Sequence, residues 1–135
     1  MADHNRVASP ALHCEGVVPI LRVRDLQASV DYYVNVLGFK MDWETPAMVS
    51  VSRDRASLML CEGHQGNPGT WVWIGVSDAQ AFFDEFTAKG ATVPLPPTNY
   101  QWAYEFHLQD PDGHVLRFGS EPLEDRPFSD WVQWY

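Results

Sequence analysis

Thr70-Trp-Val-Trp-Ile-Gly-Val-Ser-Asp78 restarts a pattern already played once in Val18-Pro-Ile-Leu-Arg-Val-Arg-Asp25. Setting Val23 on Val76 and Asp25 on Asp78 fixes a shift of 53 residues, which also matches Gln27 with Gln80, Ala28 with Ala81, Asp31 with Asp84 and Tyr33 with Phe86. A self-match of this length marks two copies of one supersecondary unit. Within the quoted stretch, Val72, Ile74 and Val76 alternate with Trp71, Trp73 and Gly75, so it reads as a strand with one face on a helix and one on a groove.

Working outward, residues 1 to 15 show no periodicity and read as a loose arm. Residues 16 to 61 form the first unit. A strand over Val17 to Val23 leads to Asp25 as helix cap, followed by Leu26, Val30, Tyr33 and Val36 or Leu37 at helical spacing and Gly38 as terminator. Three strands follow: Phe39 to Trp43, Met48 to Ser52 and Ala56 to Cys61. Residues 62 to 69 are a polar Gly- and Pro-containing linker. The second unit, residues 70 to 119, repeats the order: the quoted strand, a helix capped by Asp78 with Ser77 and Gln80 spaced as a capping box, then strands around Ala91 to Val93, Tyr104 to Leu108 and Val115 to Gly119. Asp110-Pro-Asp-Gly113 is the turn between the last two. Residues 120 to 135 form an acidic tail ending in Trp131, Trp134 and Tyr135, which is expected to cover an apolar surface or a partner subunit. The fold class is α+β, two tandem βαβββ modules whose sheets curve around a cleft with the helices outside.

A chain of 135 residues buries about two thirds of its unfolded surface, so it folds without a disulfide scaffold. Its two cysteines, Cys14 and Cys61, have no metal or redox spacing, which suits a reduced cytoplasmic protein. No apolar run has the length of a signal peptide or a membrane span. A net charge of −9 argues against nucleic acid and favours cationic partners.

The shift of 53 assigns Val18, Ile20 and Arg22 to the groove side of the first unit. A separate shift of 57 pairs Val49 with Phe106, Val51 with Leu108 and Met59 with Leu116 as core positions. That leaves Met48, Ser50, Leu58 and Leu60 facing the groove in the first unit, and Glu105, His107, Val115 and Arg117 in the second. With Trp71, Trp73, Trp102 and Trp43 they make a largely apolar groove carrying a few polar groups, the composition of a small-molecule site. Plainer readings stand beside this one. Trp71 and Trp73 are also suited to filling space between two half-barrels. Glu105 and His107, two apart on one strand face, suit an acid/base pair or a structural network with Arg117. Arg117 itself suits an anion contact or an ion pair with Glu105. His64 in the linker and His114 in a turn read as solvated, as do His4 and His13 in the arm.

Val18-Pro-Ile-Leu-Arg-Val-Arg-Asp-Leu26, Tyr32-Tyr33 with Leu37-Gly38-Phe39, Trp71-Val-Trp-Ile74, Trp102-Ala-Tyr-Glu-Phe106 and Asp110-Pro-Asp-Gly-His-Val-Leu-Arg-Phe118 resemble the glyoxalase/bleomycin-resistance/dioxygenase, or vicinal oxygen chelate, superfamily. The resemblance is nearest to its bleomycin-resistance proteins. For the family's enzymes it implies a divalent metal held by His, Glu or Gln at four positions, which here carry Val18, Leu60, Trp71 and Arg117. Two aliphatic chains, an indole and a guanidinium supply no such ligands. For the bleomycin-resistance members it implies a cofactor-free homodimer that sequesters drug in clefts shared between subunits, with stacking aromatics at Trp71, Trp102 and Trp43 and a further aromatic position occupied here by Met48. The resemblance thus implies a metal-free protein binding an aromatic, cationic small molecule of the bleomycin kind. Two alternatives stay open: an enzyme of the same superfamily with a metal site relocated to His107, Glu105 or His64, and a binding module for an endogenous metabolite.

Overall fold

The computed structural model of the protein describes residues 11–130. The expectations for His4 and for the Trp131 to Tyr135 segment therefore lie outside the described residues. Ten elements follow in chain order: β1 (Ile20–Arg22), α1 (Leu26–Asn35), β2 (Lys40–Glu44), β3 (Met48–Arg53), β4 (Ala56–Cys61), β5 (Trp71–Gly75), α2 (Ala79–Ala88), β6 (Thr92–Asn99), β7 (Tyr104–Gln109) and β8 (Val115–Ser120). They form two four-stranded sheets, ordered β1-β4-β3-β2 and β5-β8-β7-β6. In each, the first strand runs parallel to the last and the remaining pairs are antiparallel. This is the tandem βαβββ architecture.

The repeat extends to single hydrogen bonds. Asp25 caps α1 by accepting from the Ala28 N–H at 3.1 Å, and Asp78 caps α2 by accepting from Ala81 at the same 3.1 Å. Each cap satisfies one of the orphan donors of a first helical turn. Gln27 donates to Asp31 and Gln80 to Asp84, one turn on. The expected Ser77 to Gln80 box does not form. Asp78 takes the cap, and Gln80 Oε1 instead accepts from the Tyr104 hydroxyl at 2.7 Å.

Alternation sorts each sheet into a helix-covered face and an open one. Leu21, Val23, Val49 and Val51 pack with Leu26, Tyr33 and Leu37 of the first unit, and Ile74, Phe106, Leu108, Leu116 and Phe118 with Phe86 of the second. On β4 the expected orientation is reversed. Leu58 and Leu60 are buried in the core, paired with Val51 and Val49, while Met59 pairs with Ser50 and Ile20 on the open face. The cause is turn length. Four residues separate the paired Ser52 and Ser57, whereas five separate Gln109 and Val115, so the shift of 57 becomes 58 beyond the turn. A one-residue slip turns every later side chain to the other face. The structural counterpart of Arg117 is therefore Met59, and Leu60 is a core residue.

Two strand boundaries also move. β1 is shorter than expected, starting at Ile20. β6 runs to Asn99 through Pro94, Pro96 and Pro97. It is an edge strand with two register shifts, where missing N–H groups leave little of the ladder unsatisfied.

Candidate ligand-binding site

The open face of the second sheet gathers six of the expected site residues: Trp71, Trp73, Trp102, Glu105, His107 and Arg117. Their hub is Glu105, with 0% of its surface accessible. Its Oε2 accepts from Arg117 Nε at 2.9 Å and from His107 Nε2 at 2.8 Å. Its Oε1 accepts from Arg117 Nη2 at 3.1 Å and from the Trp102 indole N–H at 2.6 Å. Burial alone pushes the Glu105 carboxyl up. The hydrogen bonds from His107, Arg117 and Trp102, with the Arg117 charge, outweigh it and bring the pKa down to about 2. The group is thus an ionised acceptor at neutral pH, which fixes the proton on His107 Nε2. A carboxylate this acidic is a weak general base, so the pair serves structure better than acid/base chemistry.

The tryptophans are braced on this hub. The Trp71 ring meets the His107 ring edge-on with centroids 5.5 Å apart, and the Arg117 guanidinium carbon lies 5.1 Å from the Trp73 ring centroid. Trp102, in the loop between β6 and β7, stacks on Tyr100 at 4.7 Å with an interplanar angle of 1°. Asn99 fixes this loop from behind, since its side chain accepts from the Leu123 N–H at 2.8 Å and donates to the Leu123 carbonyl at 2.8 Å. Trp71, Trp73 and Trp102 nonetheless keep 51%, 47% and 41% of their surface. A half-exposed indole immobilised by its surroundings loses little freedom on contacting a ligand.

The first sheet places Trp43, Met48 and Ser50 on its open face. Trp43 pairs with Ser50 at a bulge in β2 and is 44% exposed. The bulge brings in a residue that alternation does not assign. Asp42 accepts from Lys40 Nζ at 2.6 Å, Ser52 Oγ at 2.9 Å and Ser50 Oγ at 3.4 Å. The Lys40 hydrogen bond, then that of Ser52, holds its carboxyl below the usual aspartate range. This carboxylate is an internal acceptor of the first face, its charge matched by Lys40.

Residues at the family's metal positions do not suit a divalent ion. Val18 precedes β1, Leu60 is in the core with Met59 in its place, and Trp71 and Arg117 offer an indole and a cation. Among the described residues, no group of three His, Cys, Asp or Glu side chains is placed to hold a metal. His64 is exposed in the linker as expected. His114, expected in solvent, is fully buried. Its Nδ1 accepts from the Thr70 N–H at 3.0 Å, so its Nε2 donates to the Arg22 carbonyl at 2.7 Å, fastening the start of β5 to β1. Because it follows a strong turn signal, the sequence points to solvent, and only the packing of one unit on the other reveals the burial.

A cavity of about 490 Å³ lies at the junction of the units, between β5 and the β3–β4 turn. Of the residues expected to line the groove, Trp73 and Leu58 border it, beside Ser57, Val72 and Gly75.

Solved structures of similar fold include TioX from Micromonospora sp. ML1, at 22% identity and a TM-score of 0.72, covering 82% of this chain and 100% of that one. The bleomycin-binding protein from bleomycin-producing Streptomyces verticillus, complexed with copper(II)-bleomycin, is similar at 25% identity and a TM-score of 0.66, covering 82% and 98%. TnmS3, an antibiotic binding protein from Streptomyces sp. CB03234, is similar at 22% identity and a TM-score of 0.70, covering 82% and 100%. No curated protein matches significantly. The family model described as Glyoxalase/Bleomycin resistance protein/Dioxygenase superfamily matches residues 11–118, and the chain belongs to that superfamily.

Proposed function

We infer that the protein binds a bleomycin-like aromatic antibiotic and acts by sequestration, without a metal and without bond-breaking. The observation that carries this reading is the bracing of three half-exposed tryptophans on one buried carboxylate, a surface prepared for flat ligands. Similarity to a bleomycin-binding protein supports the ligand class. The net charge of −9 favours a cationic ligand. Micromolar affinity requires about 8 kcal/mol. Each aromatic contact adds about 0.5–1.5 kcal/mol beyond area burial, so shape complementarity must supply the remainder.

Bleomycin added to the protein is expected to quench tryptophan fluorescence at tens of micromolar or below, on the order of ordinary drug-binding affinities. Trp102→Ala should weaken binding about tenfold, the equivalent of one good aromatic contact. Unchanged fluorescence in the parent, or equal affinity in the variant, sinks the reading. Stoichiometric zinc, nickel, iron or manganese in protein purified without chelators would replace it with the enzymatic alternative. A cell metabolite that competes with bleomycin would point to an endogenous ligand for the same groove. The open faces are read as closing against a second copy of the chain, and light scattering should then report a homodimer. Cys14 and Cys61 are free thiols, in keeping with a reducing cytoplasm.

A further inference from the structure

Trp73 differs from the other tryptophans in what lies beneath it. A Cβ built on Gly119 would meet its Cη2 at 2.2 Å, Cζ2 at 2.5 Å and Cζ3 at 3.1 Å. Real Cβ atoms essentially never approach within 3.0 Å, so the benzo ring fills space that any side chain at position 119 would take. Gly119 pairs with Gly75 across β5 and β8, and a Cβ at Gly75 would lie 3.8 Å from Trp73 Nε1. The contact at Gly75 is an ordinary one, so it is the missing side chain at position 119 that makes room for the indole on its own sheet. The Arg117 guanidinium, held by Glu105, lies over the ring at 5.1 Å from its centroid, and 47% of the tryptophan surface stays open. Trp73 is also the groove tryptophan that borders the junction cavity, together with Val17, Pro19, Ser57, Leu58 and Gly75.

We propose that a planar aromatic ring of the ligand enters this junction cavity and stacks on Trp73, and that Gly119 is the positioning residue that keeps the indole flat enough to receive it. The proposal rests on the binding reading above and adds to it a place and a chemistry. The cavity's 490 Å³ falls within the range of about 300–1,000 Å³ usual for small-molecule sites. Its lining is mostly apolar, and a ring laid against an already immobilised indole gains offset stacking at little cost in side-chain freedom. Register places Ile20 where the second unit has Trp73, so the first unit has no equivalent platform.

The test uses the full chain and two small planar probes of opposite charge at neutral pH, cationic 9-aminoacridine and anionic 2-naphthoate, titrated by fluorescence against the parent, Gly119→Ala, Trp73→Ala and the double variant. At least one probe should bind the parent, about tenfold weaker in each single variant, as expected for loss of a stacking contact. The double variant should bind no more weakly than Trp73→Ala, because position 119 acts only through the indole. Thermal unfolding of the same four proteins accompanies the titration. A Gly119→Ala loss that persists in the Trp73→Ala background would mark general damage and overturn the proposal. So would equal affinity in all four proteins, or no probe binding to the parent. Bleomycin separates the two readings. If it binds the parent and Gly119→Ala equally, the platform is wrong and sequestration stands; if a probe binds through Trp73 and bleomycin does not bind, the platform stands and the drug reading falls.

Discussion

The two units share a backbone and part company on one face. Register sets Leu21 against Ile74, Val49 against Phe106, Val51 against Leu108, Leu58 against Leu116 and Leu60 against Phe118, every one buried and apolar. On the opposite face Ile20 faces its counterpart Trp73, Met48 Glu105, Ser50 His107 and Met59 Arg117. The helix-covered side repeats because a βαβββ unit needs an apolar surface there to bury. The open side is not needed for that core, and the second unit uses it for a buried charge and three indoles. Chemistry in this molecule is therefore concentrated where the repeat fails.

Giving the second face the residue of the first should produce the largest effect. Glu105→Met leaves the Arg117 guanidinium, His107 Nε2 and the Trp102 indole N–H without their shared acceptor. Breaking one side of a buried charge pair costs about 3–5 kcal/mol, which urea denaturation should register. Adding His107→Ser and Arg117→Met completes the copy and removes two of the three stranded donors, leaving the Trp102 indole N–H, on a residue 41% exposed, to be met by water. Most of the lost stability should return, because apolar replacement of a whole buried ion pair is often close to neutral, while ligand binding stays lost. A single variant less than about 1 kcal/mol below the parent would show that the carboxylate is no hub.

The same hub sets an acid limit. Its pKa of about 2 lies below the usual glutamate value of 4.5, so its contribution is complete above 4.5 and disappears as pH falls toward 2. A depression of that size corresponds to about 3 kcal/mol. Glu105→Gln should show a shallower loss of stability across that window than the parent does.

The fold was legible because a repeated Val-x-Asp ending, shared helix spacing and paired caps all lie within short stretches of chain. The groove was legible where alternation runs unbroken, as at Trp71, Trp73, Glu105, His107 and Arg117. It failed at Leu60 because alternation was carried across a turn whose length differs by one residue between the units. That difference is visible in Arg53-Asp-Arg-Ala56 against Asp110-Pro-Asp-Gly-His114, four residues against five, and it places Met59 opposite Arg117. Asp42 was missed because a bulge aims it, and β-bulges leave little trace in the pattern of one strand. The Trp102 to Glu105 bond and the bed of Gly119 under Trp73 depend on tertiary placement and have no local signature.

A second comparison runs across the junction, where each helix reaches the other unit's hairpin turn. Tyr33 of α1 donates to Asp110 Oδ2 at 2.7 Å, with both residues buried. Burial raises the Asp110 carboxyl and outweighs the hydrogen bonds from Tyr33 and from the backbone of His114 and Asp112 that lower it. An aspartate raised in the folded state adds stability as pH falls through its folded pKa toward the ordinary aspartate value. Tyr33→Phe should cost about 1.5–3 kcal/mol at neutral pH, the range for a hydrogen bond to a charged group. Removing the donor raises the carboxyl further, so the penalty should shrink in mild acid. A penalty that grows below neutrality would contradict an ionised Asp110.

The equivalent contact at the other end is a charge pair in partial contact with water. Arg53, in the β3–β4 hairpin, grips Glu85 of α2 at 2.6 and 3.1 Å, with side chains 26% and 35% exposed. The Arg53 hydrogen bonds lower the Glu85 carboxyl, and Arg53 is held independently by the Leu37 carbonyl at 2.8 Å and by the Phe82 ring at 4.6 Å. Gly38 belongs to this end, since at φ +75° a Cβ there would stand 2.9 Å from Arg53 Nη1. Because the guanidinium keeps its place without Glu85, and water screens the pair, Glu85→Gln should cost only about 0.5 kcal/mol, less than Tyr33→Phe. At 1 M salt, where the screening length is about 3 Å, the difference from the parent should nearly vanish, while the Tyr33→Phe penalty persists. A Glu85→Gln cost that equals the Tyr33→Phe cost and ignores salt would mean that the exposed end, and not the buried one, holds the two units together.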